Sequence, residues 1–343
     1  MTNAVVKEKG GAMVSHIHSV PENHADELHF AVVVTGCRES VLRNDCGGCK
    51  MLWGLHDAVQ PAGYSVGGVM IDKVPCGTLL EQSRTMNRTQ VIVYPETAIG
   101  NCNFNSTKQI VQARWILAPI GAITTLDNAQ SWHPNDLIFN YATSTGDNVP
   151  IDNLLQVIVN PEKGDVTDIS DEVFYSKQRS GVTWMMKKAE KIHKNITFIH
   201  ERPNIKSIEF ERRWPVALLR RYEYFVSYDP YTYWSWFAAM SGTISVVYPL
   251  ANTTKEEWAL GTFVGSYLQA VGETEIPGIA YGWTDDEIQY ANSTMHELRD
   301  FLFKVKDWGA KVSVPRFARD CYRHRHGFVD EFEGAMLRKD VYY

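Results

Sequence analysis

No stretch of this chain reaches the ~18 consecutive apolar residues that a membrane-spanning helix needs. Residues 1–28 carry no apolar segment of the kind that marks an export leader. Cationic excess is missing too: 34 Lys and Arg stand against 40 Asp and Glu, a net charge of −6. That balance argues against a dedicated nucleic-acid binder, whose affinity comes from dense cation–phosphate contacts. Cysteine is scarce, with six in 343 residues, too few for a disulfide scaffold. The three-glycine dinucleotide fingerprint is absent, as is the GK[ST] of a phosphate loop. No second CxxC or paired histidine completes a zinc site, and no DxD suggests a divalent cation at a phosphate. Internal repeats and low-complexity tracts are lacking. The chain therefore reads as cytoplasmic, without a nucleic-acid partner, a transmembrane segment or a metal. On that reading the sequons at Asn87, Asn105, Asn195, Asn252 and Asn292 go unused.

Apolar material is present in quantity. Hydrophobic residues make up 44%, with 10 Trp, 16 Tyr and 14 Phe, enough to build substantial cores and to exclude a disordered chain. The length is about twice that of a ~150-residue domain. After a polar lead-in over 1–28, an apolar run over 29–37 reads as a buried strand. Residues 47–59, opened by Gly47-Gly48, carry Met51, Leu52, Leu55 and Val59 at helical spacing, and 64–71 reads as a second strand. Strand, glycine turn, helix and strand within some 40 residues form a βαβ unit and imply a parallel sheet. Strands follow over 89–96, 135–143 and 154–161. Residues 106–118 read as amphipathic, with Ile110, Val111, Trp115 and Ile116 on one side. A charged stretch over 162–181 reads as a linker. Strands are then expected over 182–189, 195–200, 222–230 and 243–250, a strand or helix over 206–221, and helices over 231–242, 255–271, 285–305 and from Arg316 to Arg338.

Five groups could carry chemistry. Gly47-Gly48 can expose helix-head amides to an anion or a sugar hydroxyl, or can simply make a tight turn. Asp229 follows a strand and precedes a helix start bearing Thr232 and Ser235. It can accept ribose hydroxyls while the helix start faces a diphosphate, or it can be a helix cap. Lys187-Lys188 follow a strand and can offset charge on a leaving diphosphate, or can be a solvated helix start. Glu96 also ends a strand, where a carboxylate can take a proton from a hydroxyl. Its rivals are His56, Asp57, His133 and Asp136. Cys46-Gly-Gly-Cys49 has the spacing of a redox pair, though its glycines serve the sugar-site reading equally. The locally basic stretch 316–326 reads as a helix face packed back on the body.

Residues 47–66, GGCKMLWGLHDAVQPAGYSV, resemble the opening of GT-B glycosyltransferases. Gly47, Gly48, Leu55, Val59, Gly63, Tyr64 and Val66 fit that pattern. Residues 225–247, FVSYDPYTYWSWFAAMSGTISVV, are similar to the donor-nucleotide segment of the same superfamily through Ser227, Asp229, Ala238, Ala239, Gly242 and Val246. Residues 92–106, 135–141 and 275–282 also look like segments of uncharacterised members. Retaining members usually carry a second Glu eight residues after the first acidic one. Phe237 stands there instead, which favours inversion.

The resemblance implies an α/β fold with two Rossmann-like domains facing across a cleft. The acceptor domain would span 29–170, the nucleotide-sugar domain 171–305, and a helical segment over 306–343 would return to the first domain. It implies a glycosyltransferase that moves a sugar from a nucleotide-sugar, its co-substrate, to a hydroxyl of a glycan or other acceptor, with no resident cofactor. Lys187, Lys188, Ser227, Tyr228, Asp229, Thr232, Ser235 and Gly242 would form the donor site, and Gly47 and Gly48 the acceptor turn. The base would be Glu96, with Asp57 and His56 behind it. A dinucleotide-dependent oxidoreductase or epimerase, and a non-catalytic glycan-binding protein, are the alternatives.

Overall fold

The computed structural model describes residues 26–33, 47–67, 76–98, 109–118, 120, 124–145, 154–157, 178–184, 205–207, 219 and 222–326. Two five-stranded sheets organise them. The first contains β1 (Leu28–Val32), β2 (Ser65–Val66), β3 (Thr89–Pro95), β4 (Ile110–Ile116) and β5 (Leu137–Asn140). The second contains β6 (Gln178–Trp184), β7 (Ile205–Ser207), β8 (Tyr222–Ser227), β9 (Ile244–Val247) and β10 (Ile279–Tyr281). Every pairing between these strands is parallel.

Parallel sheets need crossovers, and helices fill them. In the first half these are α1 (Gly47–Val59), α2 (Cys76–Met86) and the short α3 (Leu126–Gln130). In the second half they are α4 (Trp234–Met240), α5 (Lys255–Gly261) and α6 (Gly265–Val271), and α7 (Asp285–Thr294) follows the last strand. A 3₁₀ turn leads into α8 (Leu298–Trp308), which a π turn over Gly309–Ser313 joins to α9 (Val314–His326).

The strand orders are β2-β1-β3-β4-β5 and β7-β6-β8-β9-β10. Counted from its own first strand, each sheet has the order 2-1-3-4-5. The chain runs one way from the first strand and then reverses, so a topological switch point falls between β1 and β3, and a second between β6 and β8.

Several sequence expectations change. The segment 106–118 does not place its apolar residues on one side. It forms β4, and its seven residues are buried on both faces. Val111, Ala113 and Trp115 enter the main core, while Ile110 packs with Ile92 and Tyr94 opposite. A strand covered on both sides needs no alternation, which is why its pattern resembled an amphipathic segment. Strand β6 begins at Gln178, inside the expected linker. The expected helix over 255–271 breaks into α5 and α6 at Thr262, whose backbone is extended. The chain turns tightly there: a Cβ at Gly265 would run into the Leu260 carbonyl. Helix α2 had no counterpart in the sequence reading, because only Leu79 and Ser83 of its eleven residues are buried. Strand β10 is a three-residue element that the reading also left unassigned. The expected strand over 195–200 and the segment beyond His326 lie outside the described residues.

One apolar cluster runs through both halves, from Phe30, Leu55 and Trp115 to Trp236, Trp258, Phe263 and Phe301. Helix α9 crosses to the first sheet, where the Phe317 ring lies 5.6 Å from Phe30 and 4.6 Å from Phe139. Tyr141, just past β5, stacks on Phe263 at 5.4 Å. Gln156 is a buried polar hub between the halves. Its amide N–H donates to Ser313 Oγ (2.7 Å), its Oε1 accepts from the Ser266 amide (3.1 Å), and its Nε2 donates to the Thr262 carbonyl (3.4 Å). Cys76 is disulfide-bonded and Cys321 is a buried free thiol. Among the described residues no helix is long and apolar enough to cross a membrane, and no group of metal-ligating side chains gathers.

Candidate functional site

In open α/β sheets, ligands gather beyond the carboxyl ends of the strands at a switch point. The first switch point here is flanked by the ends of β1 and β3. Beyond β3, residues Pro95 to Ala98 form a tight turn closed by the Ala98 N–H donating to the Pro95 carbonyl (3.1 Å). Glu96 occupies the second position of that turn and is only 3% exposed. Its Oε2 accepts the Leu117 amide N–H at 3.1 Å, and its carbonyl accepts from the Thr124 hydroxyl at 2.9 Å. Burial raises the carboxyl above its usual value, opposed by the backbone N–H groups of Leu117, Glu96 and Ala118.

Gly48, in the first turn of α1, faces the same place. A Cβ there would meet Leu117 Cδ1 at 3.5 Å, and Leu117 is the residue whose amide binds Glu96. The structure thus brings Gly48 and Glu96 to one edge, on either side of Leu117. His56 and Asp57 lie elsewhere. They occupy the last turn of α1, about 12 Å along the axis from Gly48 at ~1.5 Å per residue. The His56 Nε2–H donates to the Gly67 carbonyl (3.1 Å), and Nδ1 lies 3.3 Å from Asp57 Oδ1. Asp136 is buried against Arg114, and His133 Nδ1 accepts the Asn135 amide.

The second switch point is flanked by the ends of β6 and β8. Asp229 lies two residues beyond β8. The Ser227 hydroxyl donates to the Asp229 carbonyl (2.6 Å) and Ser227 Oγ accepts the Asp229 amide (3.2 Å). Asp229 Oδ1 accepts the Tyr231 amide at 3.2 Å, so the carboxylate shapes the turn rather than capping α4. The cap position of α4 is Tyr233, which offers no side-chain bond. Thr232 Oγ1 accepts the Trp234 amide at 3.4 Å, while Ser235 is buried behind it. Tyr228 is half-buried, with its ring 5.1 Å from that of Tyr248. The indole N–H of Trp258 donates to the Pro230 carbonyl (2.8 Å) and holds this turn onto α5.

Gly242 falls at the other end of α4. Its φ of +80° and its N–H bond to the Ala239 carbonyl make it a left-handed helix stop. It lies before β9, at the amino edge of the sheet. Lys187 and Lys188 follow β6 and lie outside the described residues, as does Cys46 of the CxxC.

Thr143 Oγ1 donates to the Leu260 carbonyl at 3.4 Å, on the helix that also holds the Asp229 turn. A different concavity, of about 540 Å³, opens at the amino edge of the second sheet. Glu273, Glu275, Tyr290, Glu297, Asp300 and Lys304 line it, and it contains none of the residues singled out from the sequence. Sequence reasoning also missed Arg114 and Gln156. Each is a polar residue inside an apolar run, and that is the signal which could have marked them.

No protein-family model and no curated protein matches the chain. Among solved structures it is similar to the glycotransferase of kitacinnamycin, with 11% identity, 86% of this chain and 98% of that chain covered, and a TM-score of 0.33. It is also similar to NAD+-bound 3-phosphoglycerate dehydrogenase from Entamoeba histolytica, with 11% identity, 87% and 96% coverage, and a TM-score of 0.22. A third likeness is to the operator-bound lac repressor dimer, with 11% identity, 83% and 88% coverage, and a TM-score of 0.18. None of the three supports an argument about chemistry.

Proposed function

We propose that this chain is a glycosyltransferase that moves a sugar from a nucleotide-sugar to an acceptor hydroxyl. The observation that carries the reading is the duplicated 2-1-3-4-5 order. On that order we assign Gly48 and Glu96 to one switch point and Asp229 to the other. In this reading the nucleotide lies at the second sheet. Asp229 accepts from the ribose hydroxyls, since a carboxylate accepts several hydrogen bonds at once. Thr232, with Lys187 and Lys188, faces the diphosphate, and fixed dipoles and cations stabilise its departure without calling on a metal. The acceptor sits on the Gly47-Gly48 turn. Its oxygen attacks the anomeric carbon as the bond to the diphosphate breaks, and Glu96 takes the proton. This scheme assigns no role to His56, Asp57 or Gly242.

Thermal melting with a panel of UDP-, GDP-, dTDP- and CMP-sugars tests this reading. A true donor at ~100 times its dissociation constant adds about 2.7 kcal/mol of stability. Asp229→Asn keeps an oxygen for the Tyr231 amide but removes the charge, and is expected to lose most of that stabilisation while folding normally. A panel in which no nucleotide-sugar moves the transition, or an Asp229→Asn protein that responds like the wild type, overturns the donor site.

A further inference from the structure

Arg114 is out of place by the ordinary rules. It sits in the middle of β4 and is fully buried, where an ion pair is weak grounds for stability because desolvation consumes most of the Coulombic gain. Its Nε donates to Asp136 Oδ2 at 2.9 Å, and its guanidinium lies 4.8 Å from the Tyr94 ring and 5.4 Å from the Trp132 ring. Apolar side chains of similar volume would fill this space without leaving Arg114 Nη2 and Asp136 Oδ1 with no hydrogen-bond partner among the described residues, as they are here. Stability alone therefore gives no account of the pair.

Its remaining bond does. Arg114 Nη1 donates to the Ala98 carbonyl at 2.9 Å. Ala98 closes the turn that begins at Pro95, and Glu96 is the second residue of that turn. Strand β4 therefore holds the turn at two points: through Arg114 at Ala98, and through the Leu117 amide at the Glu96 carboxyl. Asp136, immediately before β5, holds the guanidinium in the plane that reaches Ala98. The planar fork of an arginine can bind both partners at once, whereas the single ammonium of a lysine cannot span them in the same geometry.

We infer that Arg114, oriented by Asp136, is a positioning residue that keeps the Glu96 carboxyl tucked against the Leu117 amide at the carboxyl edge of the first sheet. The inference deepens the proposed function by naming what holds its base. It does not need that function to be correct, because it concerns where Glu96 sits.

The test uses the full chain without any ligand. The protein is labelled with ¹³C at the glutamate carboxyls, and the Glu96 signal is assigned by its loss in Glu96→Gln. Its titration is followed in wild type, Arg114→Lys, Arg114→Met and Asp136→Asn, beside thermal melting of each. Arg114→Lys keeps the charge next to Asp136 and is expected to recover most of the melting temperature lost in Arg114→Met. It is nevertheless expected to release the turn. The Glu96 midpoint then moves down toward the ordinary carboxyl range as water reaches it, and the Ala98 and Leu117 amides exchange faster. Asp136→Asn is expected to move Glu96 in the same direction by less, and it reads the same orientation if Arg114→Met does not fold. If the Glu96 midpoint stays at its wild-type position in Arg114→Lys and Asp136→Asn, the pair only fills the core and the inference is overturned. That result leaves the nucleotide-sugar panel untouched, so failure here and failure of the donor site are read separately.

Discussion

Glu96 stores a proton-linked free energy in the fold. Its carboxyl is buried and its proton is held more tightly in the folded chain than in the unfolded one, whose value lies near 4.5. The sign follows from linkage. The contribution to stability is fully present below the unfolded value and is lost as pH rises through the raised folded midpoint. Glu96→Gln keeps an acceptor for the Leu117 amide and removes the titration. The variant is therefore expected to gain on the wild type as pH climbs from about 4 to about 8, as thermal melts across that range would show. A constant difference in melting temperature would mean that Glu96 titrates normally. Asp229 is different in kind. It is half-buried, and its carboxylate serves a local turn through the Tyr231 amide, so its replacement by Asn disturbs the backbone little.

Among the elements, the helices show how local rules place the site. Helix α5 begins with a complete capping box: Thr254 Oγ1 accepts the Glu257 amide, while Glu257 Oε2 accepts the Thr254 amide. That box fixes the helix on which Trp258 reaches the Pro230 carbonyl and so holds the Asp229 turn. Thr254→Ala is expected to cost about 0.5–2 kcal/mol in urea unfolding, in the range found for lost helix caps. Helix α4 is stopped by Gly242 in a left-handed conformation with open space around it, a backbone geometry that favours glycine. Most element types were legible from residue pattern. Helix α1 coincides with its expected bounds, because Met51, Leu52, Leu55 and Val59 are all buried on one face. Strand β4 was not legible as a strand, because burial on two faces erases the alternation by which strands are recognised. Helix α2 was not legible because a helix with two buried residues carries almost no periodic signal.

At the scale of the whole molecule, one core joins the halves. Phe317 of α9 packs between Phe30 and Phe139 of the first sheet, and the same helix continues back to α8 and the second sheet. Phe317→Ala is expected to cost about 3–5 kcal/mol, the usual range for deleting a buried aromatic ring. Calorimetry is expected to show one cooperative transition in both proteins, since the apolar cluster is continuous. Two separated transitions in the wild type would contradict a shared core.

By itself the sequence determined the parallel α/β character, since apolar runs alternating with helical stretches leave few other ways to bury their faces. It also marked Glu96 and Asp229 as lying where strands end, and Gly48 as heading a helix. The tertiary structure alone decided that the two sheets share one strand order, that Leu117 adjoins both Gly48 and Glu96, and which partners the buried Arg114 and Gln156 bind. The physical reason is range. Propensity, capping and periodicity act over a few residues and are written along the chain. Strand order, and the partners of a buried polar group, depend on segments far apart in sequence that meet only once the core has formed.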